Sequence, residues 1–106
     1  MELKLLSKIQ TPADLRRLPI SFVVQGDETL REGQLMDLSA WGARLSAHAP
    51  PASGLVLALR LRPPLVSPIV AARVLRREGA DAWIELVSER PAVLEFWTAL
   101  VVAQET

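Results

Sequence analysis

The 106-residue sequence contains no cysteine, no tyrosine and only one histidine. Without cysteine, disulfides and thiolate metal sites are excluded. His48 lies in a proline-rich loop with no second histidine and no carboxylate cluster beside it, so it lacks the partners that a metal site or a general base requires. We interpret it as an exposed loop residue. We predict a protein that is not an enzyme and holds no metal or cofactor.

An excess of charge of one sign and a long apolar run are also missing. Twelve Lys and Arg residues balance twelve Asp and Glu residues, whereas a domain that binds nucleic acid is expected to be strongly basic. No apolar run approaches the roughly 20 residues that cross a bilayer, and the opening segment, MELKLLSKIQ, is a poor signal peptide. We therefore predict no nucleic-acid partner, no membrane span and a location in the cytoplasm.

Much of the sequence consists of short segments with period-two hydrophobicity. In the clearest one, LVLALRLR, the leucines fall on one face and the arginines on the other. Similar alternation between Gly, Pro and Asp turn signals predicts strands elsewhere. The predicted strands begin at Ile20 and Ala43 and span Leu30–Leu38, Leu55–Arg62, Ile69–Glu78 and Ala82–Val87.

The last segment has the spacing of a helix. Ser88 and Pro91 are helix-start signals, and apolar residues recur at helical spacing over Arg90–Gln104. One apolar face carries Val93, Leu94, Trp97, Leu100 and Val101, and a second face beside it carries Ala92, Phe96, Ala99 and Ala103. Six strands followed by one helix predict an all-β fold, a six-stranded antiparallel barrel with a C-terminal α-helix.

The length of the chain predicts one domain. We assign residues 1–18 to an N-terminal arm with a basic segment and residues 19–106 to the barrel and its helix. Within the arm, Leu3, Leu6 and Ile9 could form one face of a short helix, or the arm could be irregular. Pro12 ends this segment in either case.

The positive charge is carried mainly by arginine, since only two of the twelve basic residues are lysines. Arginine presents a planar fork of donors that grips phosphate bidentately. Arg16 and Arg17 precede the first strand and Arg44 follows Gly42, so they could converge if the first and third strands are neighbours. We interpret five further arginines as solvated outer faces of strands: Arg60, Arg62, Arg73, Arg76 and Arg77.

Asp37, Ser39 and Gly42 form the pattern Asp-x-Ser-x-x-Gly between the second and third strands. The carboxylate can accept hydrogen bonds from the ring N–H and the amino group of a guanine, and the hydroxyl can donate or accept. Gly42 can adopt a positive φ and admit a ligand close to the backbone. The alternative is a hairpin turn in which Asp37 and Ser39 bind their own backbone.

The order of these parts resembles the PilZ domain, the bacterial receptor family for cyclic di-GMP. A basic run, RLPISF, DLSAWGARL, further strands and a terminal helix carry the resemblance, which extends from about Arg16 to the helix. It implies a six-stranded antiparallel barrel with a C-terminal helix, in agreement with the strand count, and a ligand site in two halves. Asp37, Ser39 and Gly42 match the family's Asp- or Asn-x-Ser-x-x-Gly motif completely.

The other half of the family site, Arg-x-x-x-Arg, is incomplete. Arg17 matches the second arginine, Ala13 stands in place of the first, and Arg16 is an additional arginine. The family arginines grip the phosphates and guanines of a ligand often bound as a stacked dimer. A charge-assisted hydrogen bond is typically worth ~1.5–3 kcal/mol, so the missing arginine predicts binding weakened about tenfold to a hundredfold. Arg16, Lys8 or Arg44 could compensate.

Two functions stay open at this point. The first is a regulatory module that binds cyclic di-GMP weakly. Its binding residues would be Arg16, Arg17, Asp37, Ser39, Gly42 and Arg44. The second is a degenerate domain that binds no nucleotide and contacts a bacterial protein partner through the second apolar face of the helix. Ala13 favours the second function, and the complete Asp37 motif favours the first.

The three tryptophans have alternative interpretations too. Trp41 could stack on a guanine, although we prefer a role in covering the barrel mouth. We expect Trp83 and Trp97 to pack between the helix and the barrel.

Overall fold

The computed structural model of the protein describes residues 16–105. The predictions for Leu3, Leu6, Ile9 and Pro12, like the other calls on residues 1–15, lie outside the described residues. Over the described range six strands and one helix follow one another. The elements are β1 (Leu18–Val24), β2 (Asp27–Ser39), β3 (Gly42–Ala47), β4 (Val56–Leu61), β5 (Val70–Glu78), β6 (Asp81–Leu86) and the helix α1 (Pro91–Glu105).

The strands pair antiparallel and close into a barrel in the order β1-β2-β3-β6-β5-β4. This arrangement confirms the predicted fold class. Closure leaves each strand with two neighbours, so strands rich in apolar residues expose no free edge. The predicted strand bounds need adjustment at the first hairpin, because β2 already begins at Asp27 and the turn is Gln25-Gly26.

Alternation along the strands fills the barrel interior with aliphatic side chains. Every second residue of β1 is buried, from Leu18 to Val24. The interior is continuous with the buried face of α1, so strands and helix share one core. Burial of this apolar surface is the main stabilising contribution to the fold.

The helix α1 covers the end of the barrel where β2 and β6 finish and β1 and β3 begin. Its buried residues are Val93, Phe96, Trp97 and Leu100, the i, i+3, i+4, i+7 pattern of a single helix face. The predicted division into two faces was therefore wrong for Phe96, which points into the core, and for Leu94, which is 41% exposed. Within residues 16–105, no helix combines the length and apolar character needed to cross a membrane.

Candidate functional site

The end of β2 contains a β-bulge. Met36 pairs with Arg44 and Ser39 pairs with Gly42, so β2 has one residue more than β3 between these two pairs. The extra residue falls in Asp37–Leu38. A bulge interrupts the ladder locally and redirects the side chains on it. Here Leu38 is buried, while the Asp37 side chain is 71% exposed.

The backbone at the bulge adopts a conformation that differs from the sequence prediction. Asp37 has a φ of 53°, a left-handed value that is unfavourable for most non-glycine residues and more accessible to Asp and Asn. Gly42 is not among the residues with positive φ, so the expectation that it supplies this conformation was wrong. A Cβ built on Gly42 would clash with the backbone carbonyl oxygen of Ile84. Gly42 is needed because β3 and β6 approach closely there.

The Ser39 hydroxyl closes the β2–β3 turn. Its Oγ donates a 3.3 Å hydrogen bond to the carbonyl oxygen of Gly42. This contact is the local backbone bond of the hairpin-turn alternative, and it leaves the lone pairs of the partly buried hydroxyl as further acceptors. Within the described residues Asp37 makes no such bond, and its side-chain partner is Arg44.

Arg44 lies between two carboxylates on the outer face of the barrel. Its Nε is 3.0 Å from Asp37 Oδ2, and its Nη1 donates a 3.3 Å hydrogen bond to Asp81 Oδ2. The Nε–H does not point at the Asp37 oxygen, so this contact is an ion pair, and Nε is buried with no hydrogen-bond partner among the described residues. Its Nη2 lies 3.9 Å from the Met36 sulfur. Arg44 therefore orients Asp37 from one side and leaves most of that carboxylate open to solvent.

Arg16 and Arg17 are exposed residues directly before β1. Leu18 pairs with Leu35 of β2, and because the strands are antiparallel the chain before Leu18 enters at the end where β2 reaches Asp37. The first and third strands, whose adjacency was the condition for convergence of the arginines, are separated by β2. Asp37, Ser39, Gly42 and Arg44 thus form one compact group, and the two N-terminal arginines lie at the same end of the barrel.

The helix contributes two residues to this group that the sequence patterns did not identify. The Gln104 side chain binds both backbone polar groups of Leu38, accepting from its N–H at 3.2 Å and donating to its carbonyl at 2.7 Å. Trp97 Nε1 donates a 2.7 Å hydrogen bond to the carbonyl oxygen of Ser39. The motif is 66 residues from Gln104 in sequence, and no local pattern signals such a contact.

The three tryptophans have different environments, and the prediction for Trp83 was wrong. Trp41 is 56% exposed at the β2–β3 turn. Trp83 is half-buried on the outer face of β6, where it pairs with Arg44 and lies 4.2 Å beneath the Arg76 guanidinium. Arg76 therefore covers an aromatic ring and is not merely solvated, a cation–π arrangement. Trp97 is buried between helix and barrel as predicted.

His48 and Arg60 have the exposed environments predicted for them. His48 is exposed, and no group of three or more His, Cys, Asp or Glu residues in the described part of the chain could hold a metal. Arg60 is exposed on the outer face of β4. Arg62 follows β4 and forms an ion pair with Glu32 of β2, two strands away, whereas Arg73 of β5 forms one with Glu85 of the neighbouring β6. Arg77 Nη1 donates a 3.1 Å hydrogen bond to the carbonyl oxygen of Pro50.

Comparison with known proteins finds a solved structure with the same architecture and identifies the family of the chain. The model of the PilZ domain matches residues 14–97, well over half of the chain. Among solved structures, the fold is similar to the PilZ domain of CeSA from a cellulose-synthesizing bacterium, with a TM-score of 0.68 and 18% identity over 85% of this chain and 94% of that one. No curated protein matches. The chain belongs to the PilZ domain family.

Proposed function

We propose that this protein is a non-enzymatic bacterial regulatory module that binds cyclic di-GMP with reduced affinity. Family membership supports the general class, because PilZ domains are typically regulatory modules that bind this nucleotide. The observation that carries the proposal for this chain is the geometry of Asp37. Its side chain projects from a bulge, is held on one side by Arg44 and is 71% exposed.

Each residue of the group has a chemical role in the proposed complex. The free oxygen of Asp37 accepts hydrogen bonds from the N–H groups on the guanine edge. Ser39 supplies a second polar contact from the same turn. Arg44 orients the carboxylate through the ion pair at 3.0 Å. Gly42 permits the close approach of β3 to β6 on which this turn depends.

Arg16 and Arg17 are proposed to bind the phosphates. They are exposed and enter at the Asp37 end of the barrel, and their planar guanidinium groups suit bidentate contacts with phosphate oxygens. Ala13, the position of the missing motif arginine, lies outside the described residues. The absence of one charge-assisted contact there is the reason for the proposed weakness.

Titration calorimetry with cyclic di-GMP tests the proposal. We expect saturable heat for the wild-type protein and a dissociation constant raised about tenfold or more in Arg17→Ala, the equivalent of roughly 1.4 kcal/mol. Arg60→Ala is the matched control, because it removes the same exposed charge from the outer face of β4. Ala13→Arg completes the motif in sequence and should strengthen binding by about tenfold.

Equal affinity of wild type and Arg17→Ala for cyclic di-GMP would show that Arg17 is not part of the binding site. Absence of heat up to about 1 mM ligand, corresponding to roughly 4 kcal/mol of binding free energy, would overturn the receptor function. In that case the protein-interaction function becomes the working proposal. Its surface would then be the exposed side of α1 around Leu94 and Val102, which are 41% and 51% exposed, since Phe96 is buried.

A further inference from the structure

The bulge in β2 leaves backbone groups that the ladder does not use, and the helix supplies their partners. Buried backbone N–H and carbonyl groups need hydrogen-bond partners, and a bulge removes those that a regular strand would provide. At Leu38, within the bulge, the Gln104 side-chain amide binds both backbone polar groups, with contacts of 3.2 and 2.7 Å. A primary amide is suited to this because it carries one acceptor and one donor side by side.

A second bond from the helix follows immediately along the chain. Trp97 Nε1 donates to the carbonyl of Ser39 at 2.7 Å. The three bonds from α1 thus hold the two residues that directly follow Asp37, and one of these is Ser39 itself. The polar side chains of the motif project from a backbone whose position is fixed by the helix.

The backbone conformation of Asp37 depends on contacts such as the hydrogen bonds from Gln104 and Trp97 to the next two residues. A non-glycine residue at φ 53° is intrinsically disfavoured, so the surrounding contacts must maintain it. The Arg44 side chain contacts the carboxylate of Asp37. The nearest contacts that hold the adjoining backbone from outside the sheet are those of Gln104 and Trp97.

We propose that Gln104 is a positioning residue for the nucleotide site, acting through the backbone of Leu38 on Asp37 and Ser39. This inference rests on the proposed cyclic di-GMP function. Because coupling between two events is reciprocal, ligand binding at the motif must in turn stabilise the docked last turn of α1. The C-terminal end of α1 is thereby the surface whose docking onto the barrel becomes more stable when the ligand is bound.

Gln104→Met tests the proposal, since it keeps the length and apolar stem of the side chain and removes both hydrogen bonds. Gln104→Glu is the second variant; its ionised carboxylate retains the acceptor for Leu38 N–H and lacks the donor for the carbonyl. Glu95→Met is the matched control, an exposed residue of the same helix. Amide hydrogen exchange measured by NMR without ligand gives a readout that does not depend on binding.

We expect exchange at Leu38 N–H to accelerate at least tenfold in Gln104→Met, with unchanged exchange at core amides such as Leu45 and Ile84. We expect the dissociation constant for cyclic di-GMP to rise about threefold to tenfold in Gln104→Met and at least as much in Gln104→Glu, whose second carboxylate oxygen would face and repel the Leu38 carbonyl, with Glu95→Met unchanged. Equal ligand affinity in wild type and Gln104→Met would overturn the positioning role while leaving the receptor function intact. If the wild-type protein gives no heat of binding when titrated with cyclic di-GMP, both the receptor function and the positioning role of Gln104 are overturned.

Discussion

The β2–β3 and β5–β6 hairpins are built alike and are supported differently. Each closes with a two-residue turn, since Ser39 pairs with Gly42 and Glu78 with Asp81. Each carries one extra residue in its first strand, in Asp37–Leu38 and at Leu75 respectively. Their tips lie at opposite ends of the barrel, and the helix α1 hydrogen-bonds to the β2–β3 hairpin at Leu38 and Ser39.

The backbone groups of the β5 bulge are satisfied by the loop before β4. Ser53 Oγ donates to the carbonyl of Leu75, and Gly54 N–H donates to the carbonyl of Val74. The β2 bulge depends on Gln104 and Trp97 of the terminal helix. The bulge of the β5–β6 hairpin is therefore held by a nearby loop and serves as scaffold. The bulge of the β2–β3 hairpin links the exposed polar motif to the terminal helix.

The largest expected effect comes from Gly42→Ala. A Cβ there would clash with the carbonyl oxygen of Ile84 in the adjacent strand, and backbone atoms cannot move aside as a flexible side chain can. We expect unfolding free energy to fall by about 3 kcal/mol or more, measured by urea denaturation.

Gly79→Ala in the other hairpin is the control for Gly42→Ala. Gly79 has a φ of 62° and nothing within 4 Å of an added Cβ, so the loss should be limited to about 1–2 kcal/mol of backbone strain. A smaller loss for Gly42→Ala than for Gly79→Ala would contradict the close approach of β3 to β6.

Trp97→Phe should have the next largest effect. It removes the donor to the Ser39 carbonyl, which would be left without that partner beneath the helix. The free energy of unfolding should fall by about 2 kcal/mol from the lost hydrogen bond and the smaller ring. Trp41→Phe, at an exposed position, should change stability by no more than about 0.5 kcal/mol. Equal stability losses in the two variants would contradict the role assigned to the helix.

Arg44→Gln should separate binding from stability. Arg44 and Asp37 are partly exposed, at 31% and 71% of their side chains, so loss of the ion pair should cost less than about 1 kcal/mol of stability. Cyclic di-GMP affinity should fall severalfold in calorimetry because Asp37 is no longer oriented. Arg73→Gln, which breaks the Arg73–Glu85 pair of the β5–β6 hairpin, should leave affinity unchanged; a fall of the same size would show a nonspecific charge effect.

The smallest effect concerns a third hairpin, β1–β2. The hydrogen bond from Thr29 N–H, followed by the contacts with the Thr29 side chain and with Arg31, lowers the pKa of Asp27 below its ordinary value. A lowered pKa stabilises the fold above the unfolded-state value of about 3.9 and loses that contribution as pH falls through the folded-state pKa. Thermal unfolding should show a small advantage of wild type over Asp27→Asn at pH 7 that disappears toward pH 3. A constant difference across this range would contradict the assignment.

The sequence was sufficient to predict elements whose pattern has one clear period. Alternation in the Leu55–Arg62 segment predicted β4, and the turn predicted between the second and third strands is present at Ala40-Trp41. The segment Ala82–Val87 has apolar residues on both faces, so it left the outward orientation of Trp83 undecided. That orientation follows from pairing with Arg44, a contact between strands that a single-strand pattern does not contain.

The supports of the motif could not be predicted for the same reason. The clash that requires Gly42 comes from Ile84 on another strand, and the bonds to Leu38 come from Gln104 at the end of the chain. The positive φ of Asp37 arises from a bulge, which depends on the register between two strands. These features belong to tertiary structure, whereas the motif residues themselves are local.

An NMR titration of the isotope-labelled protein with cyclic di-GMP tests most directly whether the β2–β3 hairpin is a ligand site and the β5–β6 hairpin is scaffold. We predict saturable shifts at Arg16, Arg17 and residues 37–44, a smaller shift of the Gln104 side-chain amide, and unchanged signals at Gly79 and Ala80. No shifts up to about 1 mM ligand, or shifts centred on the Gly79 turn, would contradict the account.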